Sequence, residues 1–140
     1  MSTIVQPYLF FGGRCEEALA FYQSAIGAQQ EMLMRYSDSP DPMPPGMIPP
    51  GYESKVMHAS FKVGSSVIMA SDGGAESEGF RAFSLSINVP TEADAERVFN
   101  ALGDGGEVTM PLSKTFWTPR FGMLKDKFGM GWMITVEAKS

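Results

Sequence analysis

Two stretches of this chain repeat one another in kind and in order. Ala18-Leu-Ala-Phe-Tyr22 and Ala95-Glu-Arg-Val-Phe99 occupy corresponding places in two halves, each after a strand-like run and before a glycine and further strand-like sequence. One helix and a few strands cannot bury their own apolar faces. Two such halves can complete a core, and the cleft between them is a natural place for a small molecule.

The halves are read directly from periodicity. Ile4 to Phe11 is a strand ended by Gly12-Gly13. Cys15, Ala18, Leu19, Tyr22, Ala25 and Ile26 share one face at helical spacing, so a helix is expected over 15–26. Glu16 and Glu17 complement its dipole, and Gly27 supplies a left-handed stop. Gln29 to Tyr36, Lys55 to Val63 and Val67 to Asp72 follow as strands, the last two joined at Gly64-Ser65-Ser66. The second half runs Ala82 to Val89, a helix capped by Thr91 with Asp94 as capping-box partner and stopped by Gly103, then Glu107 to Leu112, Arg120 to Lys125 and Gly131 to Ala138. Each half is therefore βαβββ. The first module covers about 1–74 and the second about 80–140.

A chain of 140 residues is most simply one globular domain. Its net charge of −5 argues against a nucleic-acid partner, which would require a basic face. One His and one Cys rule out a disulfide framework or a Cys-rich zinc site. No apolar run reaches the length of a membrane span, and the N-terminus lacks the basic start of a signal peptide. No membrane association is expected, and a cytoplasmic location is.

Proline interrupts the first half. Pro40 to Gly51 carries prolines that cannot donate to a sheet, so 37–54 is a long loop. Met43, Met47, Ile48 and Tyr52 suit it to an ordered lid or a subunit contact.

The duplicated βαβββ unit resembles the vicinal oxygen chelate superfamily of glyoxalases, bleomycin-resistance proteins and extradiol dioxygenases. Asp126-Lys-Phe-Gly-Met-Gly-Trp-Met-Ile134 is similar to the turn leading into that superfamily's last strand. Three further segments resemble its PhnB-like branch: Pro7 to Tyr22, His58 to Met69, and Phe116 to Gly122. The resemblance implies an α+β fold whose two modules form an open, barrel-like mixed sheet with a cavity between them. It also implies a homodimer.

The same resemblance places metal-ligand slots on the first and last strands of each module, near Pro7, Met69, Ser84 and Met133. Divalent cations of this superfamily take N or O donors, and thioether sulfur is a poor substitute. No cofactor is therefore expected, although a one-residue slip would offer Gln6 and a metal at another place stays open. Met69 and Met133 would make the cavity apolar and soft, whether as filler or as ligand contacts.

His58 lies on an alternating strand, where Met57, Ala59, Phe61 and Val63 should face the helix and His58 the other side. It is the candidate catalytic residue, being the one side chain with an ordinary pKa near neutrality. Arg35 and Arg120 are candidates for holding an anionic group, with Trp117 beside Arg120, although ion pairing with the chain's own acids is the commoner fate. Cys15 at a helix start is read as packing.

A small-molecule binder without the usual metal is the leading function. A metal-dependent lyase, isomerase or dioxygenase is the alternative. The 3-demethylubiquinone-9 3-methyltransferase label often given to this branch finds no glycine-rich methyl-donor loop in the sequence.

Overall fold

The computed structural model describes residues 3–39, 50–73 and 79–137. The chain divides into two compact units, Met1–Glu78 and Gly79–Ser140. The first contains β1 (Tyr8–Phe10), α1 (Cys15–Ile26), β2 (Gln29–Arg35), β3 (Val56–Val63) and β4 (Ser66–Ser71). The second contains β5 (Leu85–Val89), α2 (Glu92–Gly103), β6 (Glu107–Ser113), β7 (Phe121–Lys125) and β8 (Gly131–Val136).

The duplication is a repeat of topology. The first sheet has the order β1-β4-β3-β2 and the second β5-β8-β7-β6. In both, the first and last strands of the unit pair in parallel, and the other neighbours are antiparallel. A parallel pair needs a long crossover, and here the helix with its two following strands provides it. The fold is α+β, made of two four-stranded mixed sheets.

In the first unit Ala18, Leu19, Tyr22 and Ala25 of α1 are buried with Leu9, Ala59, Phe61, Ile68 and Ala70 of the sheet. Tyr22 and Phe61 stack with ring centroids 6.0 Å apart. Each large side chain so buried contributes roughly 1.5–3 kcal/mol. In the second, Ala95, Val98, Phe99 and Leu102 of α2 are buried with Leu124, Trp132, Ile134 and Val136. Gly122 lets Phe99 come close, since a Cβ there would lie 2.7 Å from the Phe99 ring.

The helix starts and one helix stop fall where expected. Gly27 closes α1 at φ 69°, and the Thr91 hydroxyl accepts from Asp94 N. Other boundaries move. β1 starts at Tyr8 rather than Ile4, because Pro7 has no N–H to extend the ladder, and Ile4 and Val5 are exposed. β5 starts at Leu85 rather than Ala82, whose φ of 62° is left-handed. Gly103 ends inside α2 rather than stopping it; Asp104 closes the turn on Ala101, and Gly105 at φ 77° redirects the chain. β6 continues through Pro111 to Ser113, which is tolerable because β6 is an edge strand with register shifts on either side of Met110. Tyr36–Asp38 forms a single 3-10 turn that opens the expected loop one residue early, so β2 ends at Arg35 rather than Tyr36. Residues 40–49, with Met43, Met47 and Ile48, lie outside the described residues, as does any lid or interface they would form.

Candidate functional site

Strand pairing places the candidates. In a pleated sheet, residues directly opposite one another project to the same side. Tyr8, Met69, Ser60 and Met32 form one row across the first sheet, and Met34 and His58 are paired beside it. Phe10 lies two residues beyond Tyr8 and so shares its side. The alternate residues Leu9, Ala59, Phe61, Ile68 and Ala70 are buried toward α1, which leaves Tyr8, Phe10, Met34, His58, Ser60 and Met69 on the side away from the helix. The expected split of β3 therefore holds from His58 to Phe61. Alternation alone would put Val56 on the same side as His58, but Val56 is fully buried, because a bulge opposite Met34 and Arg35 inserts Met57 and resets the alternation.

His58 is held from one side. Its Nδ1 lies 3.1 Å from the Tyr8 hydroxyl, and the two rings are 5.6 Å apart, with the Phe10 ring 4.9 Å beyond Tyr8. The other ring nitrogen, Nε2, has no hydrogen-bond partner among the described residues. No buried polar side-chain atom there lacks a partner, so Nε2 of this half-buried residue is open to solvent. An aromatic and thioether surface with one unsatisfied imidazole nitrogen can hold an apolar body and one polar atom. Tyr8 and Met34 were not among the candidate residues. Their signal was present in the alternation of β1 and β2, but the partner strands had to be known to read it.

Asp72 was also missed. It is buried immediately after β4, and its Oδ1 accepts from Gly13 N at 3.1 Å and Cys15 N at 2.7 Å, while Oδ2 accepts from Val56 N at 2.7 Å. The carboxylate thus occupies the N-terminus of α1, where orphan amides and the helix dipole favour an anion. Burial, followed by the charges of Asp72 and Glu16, pushes the Cys15 thiol up to about 12. Cys15 is a protonated core residue, in keeping with its reading as packing.

Both arginines are engaged by helix carboxylates. Arg35 makes a bidentate pair with Glu16 of α1 at 2.7 and 2.8 Å and donates to the Ser54 carbonyl. That pair holds the Glu16 carboxyl below its usual range and raises Arg35. Arg120 reaches Glu92 and Glu96 of α2, each at 3.3 Å. Trp117 is half exposed and packs edge-on against Phe116 and Phe121, while Phe116 is 96% exposed.

On the second sheet Ser86, Met133, Met123 and Met110 form one row on the side away from α2. Met133 therefore lies beside Ser86, and Ser84 precedes β5. In the first sheet the residue beside Met69 is Tyr8, while Pro7 contributes its carbonyl to Met69 N at 3.0 Å. Among the described residues no three of His, Cys, Asp and Glu gather as a metal would require. No helix among them is long and apolar enough to cross a membrane.

The paired βαβββ units and their parallel first-to-last strands define a protein of the glyoxalase and bleomycin-resistance fold. Distant structures share it: a fosfomycin resistance protein of Listeria monocytogenes is 12% identical with a TM-score of 0.64, covering 99% of this chain and 95% of its own, which shows the fold alone.

Residues 3–135 match the family described as 3-demethylubiquinone-9 3-methyltransferase, and the chain belongs to this PhnB-like family. Protein YjdN of Escherichia coli is 34% identical over 140 residues, covering 94% of each chain. The crystal structure of PA1353 from Pseudomonas aeruginosa is 42% identical with a TM-score of 0.84, covering 99% of this chain and all of that one. A PhnB protein of Bacillus cereus is 28% identical with a TM-score of 0.77, over 96% of this chain and 100% of its own. The methyltransferase wording is the family's name and carries no activity to this chain.

Proposed function

We propose that this chain binds a small, largely apolar organic molecule on the open face of the first sheet, without a divalent metal in the superfamily's usual slots. The supporting observation is the convergence of Tyr8, Phe10, Met34, His58 and Met69 on one side of the sheet, with one imidazole nitrogen unengaged. Thioethers and aromatic rings adapt to apolar ligands of varied shape, and His58 orients the polar end. If a reaction follows binding, His58 is the group placed to exchange a proton with the ligand.

The donor chemistry supports the metal-free reading. Pro7, Met69, Ser84 and Met133 do not make a set that fits zinc, nickel, iron or manganese, which take imidazole and carboxylate. Of the other residues singled out from the sequence, Arg35 and Arg120 already neutralise glutamates. A methyl-donor cofactor at Gly12-Gly13 gains no support either, because Asp72 already occupies the adjacent helix N-terminus. The reading takes the protein as cytoplasmic, the default from its sequence, and as a homodimer, as the family resemblance implies; sedimentation equilibrium tests the dimer.

The binding test uses protein carrying 13C-methyl methionine, titrated with acetophenone and with 2-acetylnaphthalene. The Met34 and Met69 methyl signals should shift saturably with at least one of them, and His58→Ala should weaken that binding. Absence of a saturable shift at both methionines with both probes sinks the proposal.

A further inference from the structure

We infer that Tyr8 locks His58 in the tautomer that carries its proton on Nε2, so that the open sheet face selects aromatic molecules bearing a carbonyl or similar neutral acceptor oxygen. This rests on the ligand-binding reading above and specifies the ligand class.

The argument begins with the two atoms at 3.1 Å, the Tyr8 oxygen and His58 Nδ1. A phenol is a good donor and a weak acceptor, because its oxygen lone pair is delocalised into the ring. A bare imidazole nitrogen is a strong acceptor. The favoured arrangement is therefore O–H donating to Nδ1, and the hydrogen bond made by one ring nitrogen decides where the other carries its proton. Nε2 is then an N–H donor. It has no acceptor among the described residues and is open to solvent.

Its surroundings narrow the partner. Met34 lies directly across from His58 on β2, and Met69 lies directly across from Tyr8 on β4. Phe10 extends the same aromatic edge and is 54% exposed. A ligand that fits has a flat apolar body against these groups and one acceptor aimed at Nε2. A molecule with the body alone leaves the N–H facing an apolar group and loses affinity. Tyr8 is a positioning residue that acts through His58.

Because His58 is the one histidine in the chain, its ring nitrogens give unambiguous 15N signals. Long-range 1H–15N spectra of the wild-type protein at a pH where the ring is neutral should show Nε2 protonated and Nδ1 as acceptor. Tyr8→Phe keeps the ring contacts and removes the hydroxyl, and it should give a mixture of tautomers. Acetophenone should bind the wild type about five-fold or more tightly than ethylbenzene, and Tyr8→Phe should reduce that preference by up to about two-fold, the cost of selecting one tautomer from a mixture.

A wild-type ring protonated on Nδ1, a tautomer indifferent to Tyr8→Phe, or equal binding of acetophenone and ethylbenzene overturns the inference. Equal binding that still shifts the Met34 and Met69 methyl groups leaves the parent reading intact. Failure of both probes to shift them sinks that reading, and the tautomer spectra, which need no ligand, still judge the role of Tyr8.

Discussion

The backbone amide of Cys15 donates to Oδ1 of Asp72 at 2.7 Å, which joins the start of α1 to the end of β4 across most of the first unit's sequence. The same carboxylate raises the neighbouring thiol, behind burial itself as the larger cause. The contact thus secures the helix and keeps its first side chain uncharged.

The pH consequence has a definite sign. The folded thiol keeps its proton up to about 12, whereas an unfolded thiol releases it near 9.0, so between these values the folded state binds more protons. Its contribution to stability is complete below pH 9, and it falls as pH rises to about 12 by up to about 1.4 kcal/mol per pH unit. Tyr36, also raised, acts in the same direction at high pH. Urea unfolding of wild type and Cys15→Ala across this range should show a shallower alkaline decline in the variant.

Removing Asp72 should be severe. Asp72→Ala leaves the amides of Gly13, Cys15 and Val56 without their acceptor, at about 1–3 kcal/mol for each amide that stays buried. Asp72→Asn keeps one carbonyl oxygen and should fall between wild type and Ala in chemical denaturation. A loss under 1 kcal/mol in Asp72→Ala, on the order of one ordinary hydrogen bond, contradicts the clamp.

Asp126 does comparable work in the second unit. Its Oδ1 accepts from Phe128 N and Met130 N at 2.8 and 3.1 Å, and its Oδ2 from Trp132 Nε1 at 2.9 Å. Asp126→Ala and Trp132→Phe should each destabilise by about 1–3 kcal/mol or more, and a double-mutant cycle should return a coupling of about 0.5–3 kcal/mol. Additive effects would mean that the indole and the carboxylate are independent.

Gly122→Ala should cost about 1–3 kcal/mol by overpacking. A Cβ at that position meets the Phe99 ring at 2.7 Å and the Met110 carbonyl oxygen at 3.1 Å. The ring can turn, but the carbonyl belongs to the backbone. Phe99→Leu in the same chain should recover part of the thermal stability, and no recovery would place the strain at the carbonyl.

The acid limb should reveal the Glu16–Arg35 pair. Glu16 is held below its usual value, so its contribution is present above the unfolded carboxyl pKa and fades as pH drops through the folded one. Glu16→Gln should flatten the loss of thermal stability on acidification, modestly, because the pair is exposed and screened.

Much of this fold is written locally. The 3.6-residue stripe from Cys15 to Ile26, Thr91 as a cap and Gly27 as a stop are short-range signals, and the helix starts follow from them. The Asp126-to-Trp132 turn was legible as a motif, but the reason for its aspartate was not, because the indole contact forms only when the turn closes. The edges of β1 and β5 were misplaced because a proline and one left-handed alanine outweighed apolar composition.

His58 was placed on the correct side of its strand by alternation alone. Its partner could not be found that way, since Tyr8 lies 50 residues away and reaches it only through the parallel pairing of β1 with β4. Arg35 and Arg120 carried the same weakness in reverse: their charge was plain, and their engagement with Glu16, Glu92 and Glu96 was not. The repeat, the helix starts and the facing of His58 to Phe61 on β3 are encoded locally, because they depend on neighbours within a few residues. Tertiary structure alone decided that Tyr8 meets His58 and that Asp72 closes on Cys15. Contacts over such separations depend on which strands pair and in which register, and no local period encodes that choice.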